Sequence, residues 1–275
     1  MSQASEGLRP SEIQPAPSAP LPSPWTLQFR VLKAIVLRNM SARHGDSRLG
    51  YLLGIIFPIA SAAFIYVLFG LRGRIAPSDF PMPVFILTGY VAFLSFRQIY
   101  GKTSAAASKA DSLLAFPQIT QLDLIYASVI LEGATETVVF VILLVVVSLF
   151  SHTAPADLSA VLLLFGALVW LGFGVGLILC TLQRIVPVVV QFVNMALRLL
   201  MWVSGVVFTV DRLPPSWWPY LKWNPLLHVI EGLRQSWVST YNAPVFSPVY
   251  IVSCAFVMTM LGLSLERATR RFVGA

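Results

Sequence analysis

The chain has 275 residues, 57% of them hydrophobic and 11% charged, with a formal net charge of +7. Soluble domains carry about 25% charged residues, so this composition, with a mean hydropathy of +0.77, excludes a water-soluble globular protein and leaves no length for a sizeable soluble domain. The basic residues sit mainly beside apolar stretches, where they set topology, and do not imply nucleic acid.

Residues 1–24 place Pro10, Pro15, Pro17, Pro20, Pro22 and Pro24 among Ser, Ala and Gln. That composition predicts a disordered tail, and it lacks the apolar core of a secretory signal. An amphipathic helix is expected over 25–43. Trp25, Phe29, Leu32, Ile35, Val36 and Met40 fall on one side, and Arg30, Lys33 and Arg38 on the other. The pattern suits a helix lying in the headgroup layer; an ordinary soluble amphipathic helix is the alternative.

Six apolar stretches follow, at about 50–71, 82–100, 124–150, 158–181, 186–210 and 246–265. Each is near the ~20 residues that cross a bilayer, which predicts an all-α membrane protein with six transmembrane helices. An even number puts both termini on one side. Placing them in the cytoplasm puts the larger share of flanking Lys and Arg inside, as topology rules require.

Two connections are more than turns. The inner one contains a short helix candidate at 112–119, capped by Asp111 or Ser112, with Leu113, Leu114 and Phe116 making an apolar knob before Pro117. Such a knob suits a protein partner; a loop folded onto its own bundle is the alternative. The outer connection, 211–244, is rich in aromatic residues, including Trp217, Trp218, Tyr220, Trp223 and Trp237. Asn224-Pro225 is a helix start, with Asn as cap and Pro at the first position. The helix it opens has Leu226, Ile230, Leu233 and Trp237 on one side, His228, Glu231 and Gln235 on another, and Arg234 flanking them. Too short to cross, it either lies flat as a headgroup-level anchor or re-enters the outer leaflet as a lid.

The fifth stretch carries Arg198 near its middle, where an arginine costs about 2.5–3.5 kcal/mol on insertion scales. Gln191, Asn194 and Arg198 share a helix face, which Trp202, Gly205 and Thr209 continue. A polar stripe in a spanning helix faces protein or water, not lipid. Two explanations stay open: a route for polar cargo, or a carboxylate partner on a neighbouring helix. Tyr90, Phe93, Phe96 and Tyr100 form a second candidate lining. Arg97 and Glu132 lie at similar depth and are expected to pair; Glu136, one turn deeper, would reach Arg198 if those helices adjoin.

Several motifs are excluded. Gly101-Lys102-Thr103 lacks the glycine five residues earlier, where Phe96 stands, and the preceding strand of a phosphate-binding loop. Nucleotide binding on this chain is therefore not expected. His44, His152 and His228 are too dispersed for a metal cluster, and no catalytic constellation is visible. Cys180 and Cys254 lie in apolar stretches as core residues.

Arg48-Leu49-Gly50-Tyr51-Leu52 followed by Pro58, Leu131-Glu132, and above all Trp223-Asn224-Pro225-Leu226-Leu227-His228 followed by Glu231 and Arg234 resemble the permeases of capsular-polysaccharide ABC exporters, the KpsM type. The likeness runs from about residue 25 to the C-terminus; Ala115-Phe116-Pro117-Gln118 matches the inner-loop helix only loosely. The resemblance implies a homodimer in the bacterial inner membrane. Two copies of a separate ABC ATPase, which would hold ATP and Mg, would dock through the inner-loop coupling helix. The cargo would be a lipid-linked, usually acidic polysaccharide, passed to periplasmic co-polymerase-like and outer-membrane export proteins. A permease for another lipid-linked glycan, such as O-antigen or teichoic acid, is the nearest alternative; an intramembrane lipid-processing enzyme is the alternative from another class. On this basis Gln191, Asn194, Arg198 and Trp202 are candidate pathway residues. Trp217, Trp218, Tyr220, Trp223, His228, Glu231 and Arg234 are candidate residues of a periplasmic gate.

Overall fold

The computed structural model describes residues 24–44, 48–71, 80–109 and 119–273. Its principal helices are α1 (Pro24–His44), α2 (Arg48–Leu71), α3 (Met82–Ser104), α4 (Gln121–Ser151), α5 (Leu158–Ile185), α6 (Pro187–Leu199), α7 (Pro225–Trp237) and α8 (Pro248–Val273). No strand occurs among the described residues. Among the described residues, four helices are long and apolar enough to cross a membrane: α3, α4, α5 and Pro248–Arg270 of α8. Ile56–Phe69 of α2 and Pro187–Trp202 are shorter apolar helices.

The helix ends follow local chemistry. Thr120 and Asp123 form a reciprocal capping box at the start of α4: the Asp123 amide donates to Thr120 Oγ1 at 3.3 Å, and the Thr120 amide donates to Asp123 Oδ2 at 2.8 Å. Asp157 caps α5 by accepting from the Ala160 amide at 2.9 Å. That bond and one from Ser159 hold its carboxyl below the usual carboxylate range, with the Ser159 hydroxyl the larger cause. The α4–α5 turn is closed by His152 in the left-handed region, φ 51°.

The core centres on α5, which packs along α3 on one side and α8 on the other. Glycines permit this closeness. A Cβ on Gly176 would stand 2.6 Å from Thr103 Cβ on α3, and one on Gly174 would stand 2.9 Å from Met258 Cβ on α8. Between α4 and α5, the Phe140 and Phe165 rings stack at 4.1 Å.

The stretch expected to be one continuous fifth span is broken. The α-helix stops at Leu199, a 3-10 turn covers Leu200–Trp202, and the chain turns at Gly205, whose φ of 78° suits glycine. Hydrophobicity over 186–210 is continuous, but periodicity ends where Ser204 and Gly205 are buried against α7. The amphipathic helix α1 divides its expected apolar face. Ile35 is buried, with Leu32 and Val36 beside it, against Leu124 and Ala127 of α4, whereas Phe29 and Met40 are exposed. Gln28 Nε2 donates to Asp123, fixing α1 to the first turn of α4. Residues 110–118, and with them Leu113, Leu114, Phe116 and Pro117 of the expected coupling helix, lie outside the described residues, as does the 1–23 part of the tail.

Gly176→Ala tests the α3–α5 contact. The added methyl has no room against Thr103, so overpacking should cost about 1–3 kcal/mol. A melting temperature in detergent equal to that of the wild type would show that the helices separate freely at this point.

Candidate functional site: the hairpin around α7 and a polar stripe

The polar stripe lies on α6. Its neighbour is α5, against which Val190 is buried. Gln191 and Arg198 are exposed, Asn194 is half-buried, and Trp202 is 59% exposed. A single chain therefore presents this stripe on its surface, beside the exposed apolar residues Val188, Phe192, Met195 and Leu199.

The aromatic residues of α3 are mostly interior. Phe93, Phe96 and Tyr100 are buried in the core, with the Phe96 and Tyr100 rings 5.1 Å apart; Tyr90 is half-buried. Their expected common face is interrupted at Leu87–Val91, where α3 takes one π-helical turn. Arg97 is exposed on α3, whereas Glu132 and Glu136 are buried on α4.

The hairpin that follows α6 is built around α7. Asn224 caps it as expected: its Oδ1 accepts from the Leu226 amide at 3.0 Å, while its Nδ2 donates to Ser204 Oγ at 2.9 Å. One side chain thus starts α7 and ties it to the turn after α6. His228 is held by both nitrogens. Nδ1 accepts from the Ser247 amide at 3.0 Å, so the proton resides on Nε2, which donates to the Lys222 carbonyl at 2.8 Å. Burial pushes its pKa below the usual histidine value, against the smaller opposing effect of the Lys222 carbonyl. The ring is therefore neutral near pH 7. At its other end α7 meets the α4–α5 turn, where the amides of Ala156 and Asp157 donate to the carbonyls of Trp237 and Ser236 at 3.1 and 2.9 Å.

Glu231 and Arg234, expected on a polar face of this helix, are fully buried. Arg234 Nη1 donates to Glu231 Oε1 at 3.0 Å and to the Phe208 carbonyl at 2.8 Å. Its guanidinium lies 4.2 Å over the Phe85 ring, and Nε and Nη2 make no hydrogen bond among the described residues. Tyr241 donates its hydroxyl to Glu231 Oε2 at 2.5 Å, and its ring packs edge-on to Phe80 at 5.0 Å. Gly89, in the π turn of α3, gives the guanidinium room, since a Cβ there would stand 3.1 Å from Nη2 and 3.0 Å from the Val206 carbonyl. Sequence reasoning missed Tyr241, Phe85 and Gly89; only the presence of two charges in an apolar setting hinted that buried partners were needed. The remaining gate candidates are outward. Trp217 is 59%, Tyr220 82% and Trp223 73% exposed, and Trp218 is half-buried.

Breaking one partner of a buried pair leaves the other charge unmatched, at about 3–5 kcal/mol. Arg234→Ala should therefore collapse the melting temperature in detergent. The double variant Glu231→Leu with Arg234→Met should recover much of it, because replacing both charges removes the desolvation cost. Equal loss in both would locate the destabilisation in shape, not charge.

Comparison with known proteins gives this architecture a family. A profile of the ABC-2 type transporter family matches residues 30–238. The chain is 28% identical over 246 residues to the polysialic acid transport protein KpsM of Escherichia coli, covering 89% of this chain and 95% of that one. It is 26% identical over 240 residues to the capsule polysaccharide export inner-membrane protein CtrC of Neisseria meningitidis serogroup B, covering 87% and 91%. The O-antigen export system permease protein RfbA of Klebsiella pneumoniae is 26% identical over 248 residues, covering 86% and 91%. With the family profile matched across most of its length, the chain belongs to the ABC-2 type transporter membrane family.

Proposed function

We propose that this chain is the membrane subunit of an ATP-driven exporter that moves a lipid-linked capsular polysaccharide across the bacterial inner membrane. The supporting observation is likeness over nearly the whole chain to permeases named for polysialic acid transport and capsule export. In this reading α2 and the 187–210 stretch complete a set of six membrane passages, α1 lies at the inner surface, and both termini are cytoplasmic. ATP and Mg belong to two copies of an ABC ATPase, docked on the 110–118 connection. Its two flanks are anchored on the bundle. Ala106–Lys109 reaches α4 and α5 through Ala107, packed with Ile125 and Leu177, and Ile119 packs beneath α1. A push on that connection is thereby delivered to α4, α5 and α1 together.

Two copies of the chain would bring two α6 faces together. The exposed apolar residues Phe192, Met195 and Leu199 would be covered, and the Gln191, Asn194 and Arg198 stripes doubled along one route. Arginine suits acidic sugars and lipid phosphate because its planar fork pairs with both oxygens of an anion. Periplasmic co-polymerase-like and outer-membrane proteins would receive the chain beyond the membrane. Analysis by mass spectrometry of the glycolipid retained on the purified permease–ATPase complex identifies the cargo; an O-antigen or teichoic acid there would replace the capsular reading.

Arg198→Ala should lower surface polysaccharide by about tenfold or more, a loss of roughly 1.4 kcal/mol at the limiting barrier, with the permease–ATPase complex still assembled. Normal surface polysaccharide in that variant would remove Arg198 from the route. Phe116→Glu should weaken co-purification of the ATPase, because a carboxylate in an apolar contact is costly to desolvate. Undiminished co-purification would move the contact elsewhere on the connection.

A further inference from the structure

Beside the start of α7 lies a pocket of about 600 Å3 that shares no lining residue with the α6 stripe. Its walls come from the 215–223 segment, the first turn of α7 and the beginning of α8. The volume is within the ~300–1,000 Å3 typical of small-ligand sites. Three prolines, Pro215, Pro219 and Pro244, stiffen the rim. The floor is fixed as well. The Tyr250 hydroxyl donates to the Trp223 carbonyl at 2.9 Å, and His228 bonds the Lys222 carbonyl and the Ser247 amide. Its ring lies 4.7 Å from that of Tyr250. The backbone carrying Lys222 and Trp223 is thus held from α7 and α8 before any ligand arrives, which lowers the ordering cost of binding.

The chemistry of the lining is narrow. Trp218, Trp223 and Tyr250 are its indole and phenol residues, and Lys222 is the cationic residue among those that line it. His228 adds no charge, because both its ring nitrogens are engaged by backbone groups. Among the described residues, no arginine lines the pocket. A phosphate headgroup is best met by several donors or a guanidinium fork, and this pocket offers neither. A ligand with one negative charge and a flat C–H face matches better: the face lies on an indole and the charge meets Lys222.

We propose that this pocket binds a carboxylated pyranose, one acidic sugar unit of a polysaccharide. The inference rests on the exporter reading for the source of the sugar, and it assigns the hairpin a recognition role separate from the α6 stripe. Binding here would hold a segment of the emerging chain while the conduit is reset.

The test uses the permease–ATPase complex in nanodiscs, titrated with trimers of sialic acid and of glucuronic acid, with saturation-transfer NMR and tryptophan fluorescence as readouts. At least one acidic trimer should bind, and its carboxyl-reduced counterpart should bind about fivefold weaker. Lys222→Gln should reduce affinity to the carboxyl-reduced level, and Trp223→Ala should weaken both trimers alike. Failure of both acidic trimers to bind, or binding indifferent to Lys222→Gln and Trp223→Ala, overturns the proposal. Displacement by glycerol 3-phosphate but not by free glucuronate would also overturn it, in favour of a lipid headgroup. A complex that exports its glycan while this pocket stays silent ends the inference alone. A complex that binds the trimers yet moves no glycan across the membrane instead ends the exporter reading.

Discussion

Arg234 has no solvent-exposed surface, and the hairpin around α7 is arranged around that burial. Removing a guanidinium from water costs several kcal/mol even after relaxation, and the cost is offset only when its partners are well placed. Here the partners come from separate parts of the chain. Glu231 supplies the counter-charge from the same helix, Phe208 a carbonyl from the segment after α6, Phe85 a ring face from α3, and Tyr241 steadies the carboxylate from beyond α7. An arginine over an aromatic face gains more when both are out of water. The cluster therefore fixes the position of α7 relative to α3 with a directionality that apolar packing alone does not give.

The close approach it requires is met by two glycines with different roles. Gly89 sits in the π turn of α3 and leaves space for Nη2 and the Val206 carbonyl, while Gly205 takes a positive φ so that the chain can turn beneath Leu227. A π turn inserts one residue relative to the regular helix, so the two halves of α3 are offset by about 100° from the phase that simple spacing predicts. This accounts for Tyr90 diverging from Phe93, Phe96 and Tyr100, which spacing alone put on one face.

Helix positions were legible where local chemistry decides them. Asn224-Pro225 announced α7, and the apolar runs announced α3, α4, α5 and α8. Illegible features were those that depend on neighbours distant in sequence. Hydropathy cannot reveal that a mostly apolar stretch over 186–210 bends at Gly205, because burial of a turn and burial of a helix call for the same composition. Nor can periodicity distinguish a charged face turned to water from one sealed inside: Glu231 and Arg234 read as a polar face until Tyr241 and Phe85 are seen against them. Gln191, Asn194 and Arg198 lie on α6, but Trp202 falls in the 3-10 turn and Gly205 and Thr209 beyond the break, so the stripe is shorter than spacing put it; its exposure in the single chain follows from how few elements pack on that helix.

The contacts of α7 with the α4–α5 turn set where the hairpin can yield. Its last carbonyls are joined to Ala156 and Asp157, its first turn to Ser204 and Ser247, and its middle is sealed by the arginine cluster. Swinging this helix aside would strand several polar groups at once. The segment just ahead of it is pinned as well, since the Lys222 and Trp223 carbonyls are bonded by His228 and Tyr250; only the Trp217 and Tyr220 rings, 59% and 82% exposed, have little to forfeit by moving. Freedom at this end of the molecule therefore belongs to those two rings, and α7 is the doorpost beside which they swing.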